Sequence, residues 1–173
     1  MTMSKAQALA GMASVVLVAM GRLAVAQDDG AMTTLRRYSA AINAGDCDTV
    51  YRLTSDAVRR RDAFPGDWHQ TVCALLGEWH RSGMRETLGE PKARLVDGWR
   101  RIVFVRAARE REQPPNRITT DFDYIVHSSD AGRTWRVLDL ACVDARWVNE
   151  VFPSYRGDPP VHAADARVTH LAR

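Results

Sequence analysis

No stretch of the 173-residue chain stays apolar for the roughly 20 residues that a membrane-spanning helix needs. The longest candidate, Ala8 to Met20, is uncharged but ends at Arg22. Cysteine is scarce: Cys47, Cys73 and Cys142 allow one bridge within the chain, by any of three pairings, and leave one thiol over. No cysteine directly follows Ala26, which argues against a lipid-modified N-terminus. No internal repeat is present. The lone Ser128-x-Asp130-x-Gly132-x-Thr134-Trp135 motif, which recurs from blade to blade in propellers, therefore reads as a plain turn. No Ser–His–Asp or Cys–His arrangement stands out, so there is no signal for nucleophilic catalysis.

The first 26 residues have the grammar of an export signal. Lys5 supplies the positive start, Ala8 to Met20 the apolar run, and Ala24-Val25-Ala26 the small residues before a cleavage point. The expectation is a periplasmic or secreted protein with no stable membrane span after cleavage, in a compartment where disulfides persist. Removing that segment leaves 147 residues, enough for one domain with a sizeable core. It also removes Lys5 and Arg22, leaving 22 basic against 21 acidic residues, a net charge of +1. The short arginine runs at 36–37, 59–61 and 100–101 have acids nearby, so they read as solvated faces and no nucleic-acid partner is expected.

Residues 27–31 are polar and read as a mobile start. Thr33 or Thr34 caps a helix to about Ala44 with Leu35, Tyr38 and Ile42 on one face, and Gly45 ends it. Asp46 caps a second helix carrying Cys47, Val50, Tyr51 and Thr54. After the Phe64-Pro65-Gly66 turn, Asp67 caps a third, with Trp68, Val72, Leu75, Leu76 and Trp79 as its stripe and an end near Ser82-Gly83. The period then changes. Ala93–Val96, the Asp97-Gly98 turn and Trp99–Arg109 form a hairpin signal, Gln113 to Asn116 a loop, and Ile118–His127 and Trp135–Val143 two further strands. Helices first and strands afterwards predict an α+β domain over residues 32–156, with three helices packed on one side of a curved antiparallel sheet. Residues 157–173, opening on Gly157-Asp158-Pro159-Pro160, read as a flexible tail.

The run from Leu35 to Asp46, LRRYSAAINAGD, resembles the opening helix and Ala-Gly-Asp turn of the nuclear-transport-factor-2-like superfamily. Val50 to Ala57, VYRLTSDA, is similar to that family's second helix. The superfamily includes ketosteroid isomerases and SnoaL-type cyclases, and the resemblance covers about residues 32–143. It implies a cone with a pocket between the helices and the concave sheet face, and a second helix close to the third. That closeness favours a Cys47–Cys73 bridge. Catalytic members carry a pocket Asp or Glu with a Tyr or acid partner, and activity does not follow from the fold.

The pocket expected from these elements is lined by Tyr38, Trp68, Val72, Trp79, Phe122 and Tyr124, suited to a small, mostly apolar ligand. Among carboxylates, Asp121, Asp123, Asp139 and Asp144 are the candidate bases, with Tyr38, Tyr51 and Tyr124 as donors. Asp121 and Asp123 alternate against Phe122 and Tyr124, and Asp139 against Leu138 and Leu140, which places these three on the outer face. His127 reads as a surface residue at a strand end. The repeated Trp-His dipeptides align His69, Cys73 and His80 along one stripe. His69 and His80 are about 16 Å apart along the axis and cannot share an ion; His69 with Cys73 could, but Cys73 is expected in the bridge, so no metal is expected. No cofactor is expected either. Trp135, Val137 and Ala141 alternate on the last strand, with Val103, Val105 and Ala107 as candidates beside them. They mark an apolar outer face, to be covered either by a second copy of the chain in a homodimer or by the ARWVNEVFPSY segment. The leading expectation is a non-catalytic ligand-binding or interaction module. The alternatives are an isomerase, dehydratase or cyclase whose pocket Asp requires a one-residue register error in this assignment, and a structural envelope protein that self-associates through the sheet.

Overall fold

The computed structural model describes residues 30–60, 67–143 and 146–171. The export segment, the Phe64-Pro65-Gly66 turn and Asp144 lie outside the described residues, as do the side chains of Trp68 and Trp147.

Helix α1 (residues 30–44) buries Ala31, Leu35, Tyr38, Ala41 and Ile42, the stripe that a 3.6-residue period puts on one face. It is already helical ahead of the expected Thr33 or Thr34 cap, because Ala31 extends the apolar stripe by one turn. Gly45 ends it at φ +71°, a conformation that side chains rarely adopt. The next two helices, α2 (Cys47–Leu53) and α3 (Asp56–Arg59), are short. The Asp46 side chain caps α2 by accepting from the Thr49 N–H at 3.0 Å. Helix α4 (Trp68–Arg81) is capped in the same way by Asp67, which accepts from the His69 N–H at 2.9 Å. A Cys47–Cys73 disulfide ties α2 to α4 with the Cα atoms 4.9 Å apart. Closing that 26-residue separation stabilises the fold by about 3 kcal/mol in the chain-entropy model.

The strands are β1 (Arg85–Asp97), β2 (Arg100–Gln113), β3 (Asn116–Ser128), β4 (Arg136–Asp139) and β5 (Asp165–His170). They form one antiparallel sheet in the order β1-β2-β3-β4, with β5 also on β3. β5 pairs Asn116–Asp121 and β4 pairs Tyr124–His127. The α+β class and the helices-then-sheet layout are those expected from the sequence. β1 begins well before Ala93: its first half is polar, because it is an exposed edge that tolerates Pro91 at an irregularity. Register shifts between Leu88 and Pro91 and between Pro91 and Ala93 bend this strand. The Ser128–Thr134 turn is built on Asp130, which accepts from the backbone N–H groups of Arg133 and Thr134 and from the Thr134 hydroxyl at 2.6 Å. These bonds hold its carboxyl well below the usual range.

Both faces of the sheet are buried. On the helix side, Val103, Val105, Ala107, Phe122, Tyr124, Val126, Trp135 and Val137 pack with α1 and α4 in one cluster. On the outer side, Ile102, Phe104, Ile125, Leu138 and Leu140 pack against Val148 and Phe152, with Tyr155 and Val161 at the margin. The outer cover is therefore helix α5 (Arg146–Val151) and the residues after it.

Three expectations need correction. Val103, Val105, Ala107, Trp135 and Val137 face the helices, and Leu138 and Leu140 face outward. The assignment on the last strand is inverted by one residue, because a strand buried on both sides shows no polar face to fix its phase. His127 is half-buried rather than exposed: burial pushes it down to about 4, its ring meets Phe152 edge-on at 5.1 Å, and Nε2 is 3.1 Å from Ser55 Oγ. The segment from 157 is not a free tail. The Asp123 N–H donates to the His162 carbonyl at 3.0 Å, the His162 N–H donates back to the Asp123 carboxylate, and residues 165–170 form β5. Every residue of β5 is exposed, so backbone pairing holds it and no hydrophobic pattern announces it.

Candidate functional site

Strand register brings four polar side chains together on the helix-facing side of the sheet. Glu86 lies directly across from Arg109 in the β1–β2 pair, and Tyr124 directly across from Asp139 in the β3–β4 pair. The long Arg109 side chain links the two pairs. Its Nε donates to Glu86 Oε2 at 2.8 Å, and Nη2 donates to Asp139 Oδ2 at 2.5 Å and to the Tyr124 hydroxyl at 2.8 Å. The Tyr124 hydroxyl in turn donates to Glu86 Oε2 at 2.6 Å. The guanidinium packs against aromatic rings, with Cζ 4.7 Å from the Trp79 centroid and 4.6 Å from that of Phe122.

All four of these side chains are buried. Burial by itself would make Arg109 easier to deprotonate, but Asp139, Tyr124, Cys142 and Glu86 around it raise it well above its ordinary value. Burial raises Glu86 as well, and Arg109 offsets only part of that. Two carboxyl groups thus share one guanidinium. Burial and the Asp139 charge push the hydroxyls of Tyr38 and Tyr124 well above the usual tyrosine range, so both stay protonated at neutral pH and can donate hydrogen bonds.

Asp139 is where this cluster meets open space. It ends β4, and its Oδ1 accepts the Ala141 N–H at 2.9 Å, which turns the chain and presents the carboxyl group at the wall of a cavity of about 150 Å³. The other walls are almost entirely apolar: Ile42, Val50, Val58, Val72, Leu75, Leu76, Trp79, Ala141 and Val143. Tyr38, Thr54, Thr71 and Cys142 are its remaining polar lining groups. Cys142 is an exposed residue whose sulfur reaches inward, donating to Asp139 Oδ2 at 3.5 Å. Protein packed around the thiol, together with the Asp139 charge, pushes it up to about 12, so it is not a ready nucleophile.

Among the residues expected at a pocket, Tyr38, Val72 and Trp79 wall this cavity. Phe122 and Tyr124 lie outside its lining, fully buried, and shape it through their contacts with Arg109 and Tyr38. Asp139, expected on the outer face, is at the cavity. Asp123 does face outward, but it is fully buried there and paired with Lys92 at 2.5 Å and Arg106 at 2.8 Å. Asp121 lies toward the β5 end, paired with Arg167. Glu86 and Arg109 were not singled out from the sequence. A count from the Asp97-Gly98 turn alone would set Glu86 opposite Arg111, and the two register shifts around Pro91 move it opposite Arg109.

Among the described residues, no helix is long and apolar enough to cross a membrane. No family model and no curated protein matches the chain. Among solved structures, it is similar to an LEH-like epoxide hydrolase of M. tuberculosis, at 17% identity and a TM-score of 0.36 over 73% of this chain and 98% of that one.

Proposed function

We propose that this protein is an acid–base enzyme acting on a small, mostly apolar substrate, with Asp139 as the general base. One observation carries the reading: a buried carboxyl group, backed by a guanidinium, stands at the wall of an otherwise apolar cavity. A cavity of this volume accommodates a guest of about benzene size. A substrate there is desolvated by aliphatic walls and meets Asp139 as a proton acceptor and the Tyr38 hydroxyl as a hydrogen-bond donor. Arg109 balances the Asp139 charge in a place where water cannot, and its stacking on Trp79 holds it in position. Isomerisation, elimination and addition of water all fit one base and one donor. The leader-like residues 1–26 and the Cys47–Cys73 bridge support action outside the cytoplasm.

The test is to incubate wild type and Asp139→Asn with a panel of monocyclic and short-chain ketones, esters and ethers. Turnover of at least one class is expected, falling by about 10²- to 10⁴-fold in the variant while binding is retained. The second reading, a non-catalytic small-ligand module, is favoured by the apolar walls. It prevails if wild type binds such compounds and converts none of them.

A further inference from the structure

The bridge between α2 and α4 has a third donor beside it. The sulfurs of Cys47 and Cys73 and a ring nitrogen of His69 all lie within 4.8 Å of one another. His69 stands one turn before Cys73 on α4, with Nε2 at 3.7 Å and Nδ1 at 4.0 Å from the Cys73 sulfur. Asp48, next to Cys47 on α2, bonds Nε2 of His69 at 2.8 Å, and the Tyr51 ring meets the imidazole edge-on at 5.0 Å. The imidazole is thus held beside the Cys73 sulfur with both ring nitrogens close to it: Nε2 is bonded to the Asp48 carboxylate, which leaves Nδ1 as the nitrogen free to ligate.

We propose that reduction of the Cys47–Cys73 bridge converts this corner into a binding site for a divalent cation of the zinc class, with Cys47, Cys73 and His69 as ligands and Asp48 as the group that orients His69. A dithiol reductant passes two electrons and two protons to the bridge. The S–S bond breaks, two thiols form, and the dithiol becomes a disulfide. Cation binding then displaces both thiol protons and gives two thiolates and one neutral imidazole as ligands, with water in the fourth position. In a tetrahedral site, metal–sulfur bonds of about 2.3 Å and a metal–nitrogen bond of about 2.0 Å set the donors about 3.5–3.8 Å apart. The His69 Nδ1–Cys73 sulfur separation of 4.0 Å is close to that range, and the 4.9 Å between the cysteine Cα atoms holds the second sulfur within reach. A carboxylate on the remote imidazole nitrogen is the usual support of a metal-bound histidine. All three ligands are half-buried, open to a reductant and to an incoming ion. The corner therefore ties α2 to α4 under either condition, covalently when oxidised and through the ion when reduced. This inference does not depend on the chemistry at Asp139.

The experiment uses Co²⁺ as probe on the full chain reduced with a phosphine, with Cys142→Ser as the background so that each thiolate signal comes from the two bridge cysteines. The reduced protein is expected to develop sulfur-to-cobalt charge-transfer absorption and to regain on Zn²⁺ addition the thermal midpoint that reduction removed. His69→Ala in the same background weakens Co²⁺ binding at least about tenfold, and Asp48→Asn weakens it less. Equal affinity in the oxidised protein, no charge-transfer band after reduction, or a band of unchanged affinity in His69→Ala overturns the proposal.

Discussion

Two buried carboxyl groups, Asp139 and Asp123, sit on opposite faces of the same sheet, and their surroundings separate chemistry from scaffolding. Asp123 is over-compensated: Lys92 and Arg106 both pair with it, and the His162 N–H donates to its Oδ2 at 2.8 Å. Lys92 also donates to the Pro160 carbonyl at 2.9 Å, so this knot fastens the C-terminal segment to the sheet. Asp139 is under-compensated, sharing Arg109 with Glu86 and bordering a cavity. A carboxylate enclosed by cations has nothing left to do but hold the fold. Asp139 shares its cation with a second carboxyl group and faces apolar space, which is why the proposed base role falls to it.

The contrast can be broken most sharply at its shared cation. Arg109→Met should leave Glu86 and Asp139 buried without a counter-charge and cost about 3–5 kcal/mol, read as a lowered urea midpoint. The next effect is pH-dependent and has opposite signs on the two faces. His127, on the outer face, is pushed from 6.5 to about 4, so the unfolded chain binds its proton first as pH falls. Its contribution, up to about 3 kcal/mol, is present above pH 6.5 and is lost as pH falls toward 4, and His127→Gln should flatten that slope. Glu86, on the helix side, is raised by burial, so its protonated form favours the fold. That contribution is full below the unfolded value near 4.5 and declines as pH rises through the folded one, and Glu86→Gln should remove the decline. Urea midpoints measured across pH 3–8 check both signs. Asp123→Asn should cost less, about 1–3 kcal/mol, because Lys92 and Arg106 are partly exposed and can turn to water. Its local signature is faster amide exchange at Asp123 and His162, beyond that of Asp139→Asn. Val168→Thr, on an exposed strand, should change stability by less than about 0.5 kcal/mol.

The helices were legible because each has one buried face and a side-chain cap: the Leu35–Tyr38–Ile42 stripe, Asp46 and Asp67 all act as their spacing implies. The bridge was legible only through the resemblance that set α2 beside α4. The sheet's phase was not, since Val137 and Leu138 are both buried, one on each face, and alternation alone cannot say which side the helices cover. Half of the polar cluster was hidden for a related reason. Glu86 reaches Arg109 only through irregularities near Pro91, in a strand whose exposed residues resemble a loop. Tyr38 and Trp79 could be found from helical period, whereas Arg109 looked like one more surface arginine.

The outer cover of the sheet also has a consequence in time. Phe104, Ile125 and Leu138 are closed over by Val148, Phe152 and Val161, which a ribosome makes after them. A chain emerging N-terminus first completes its helices and hairpins while that face is still bare. Until that later segment arrives, the half-made molecule carries a sticky sheet, a hazard for any protein that must wait in line before it is finished.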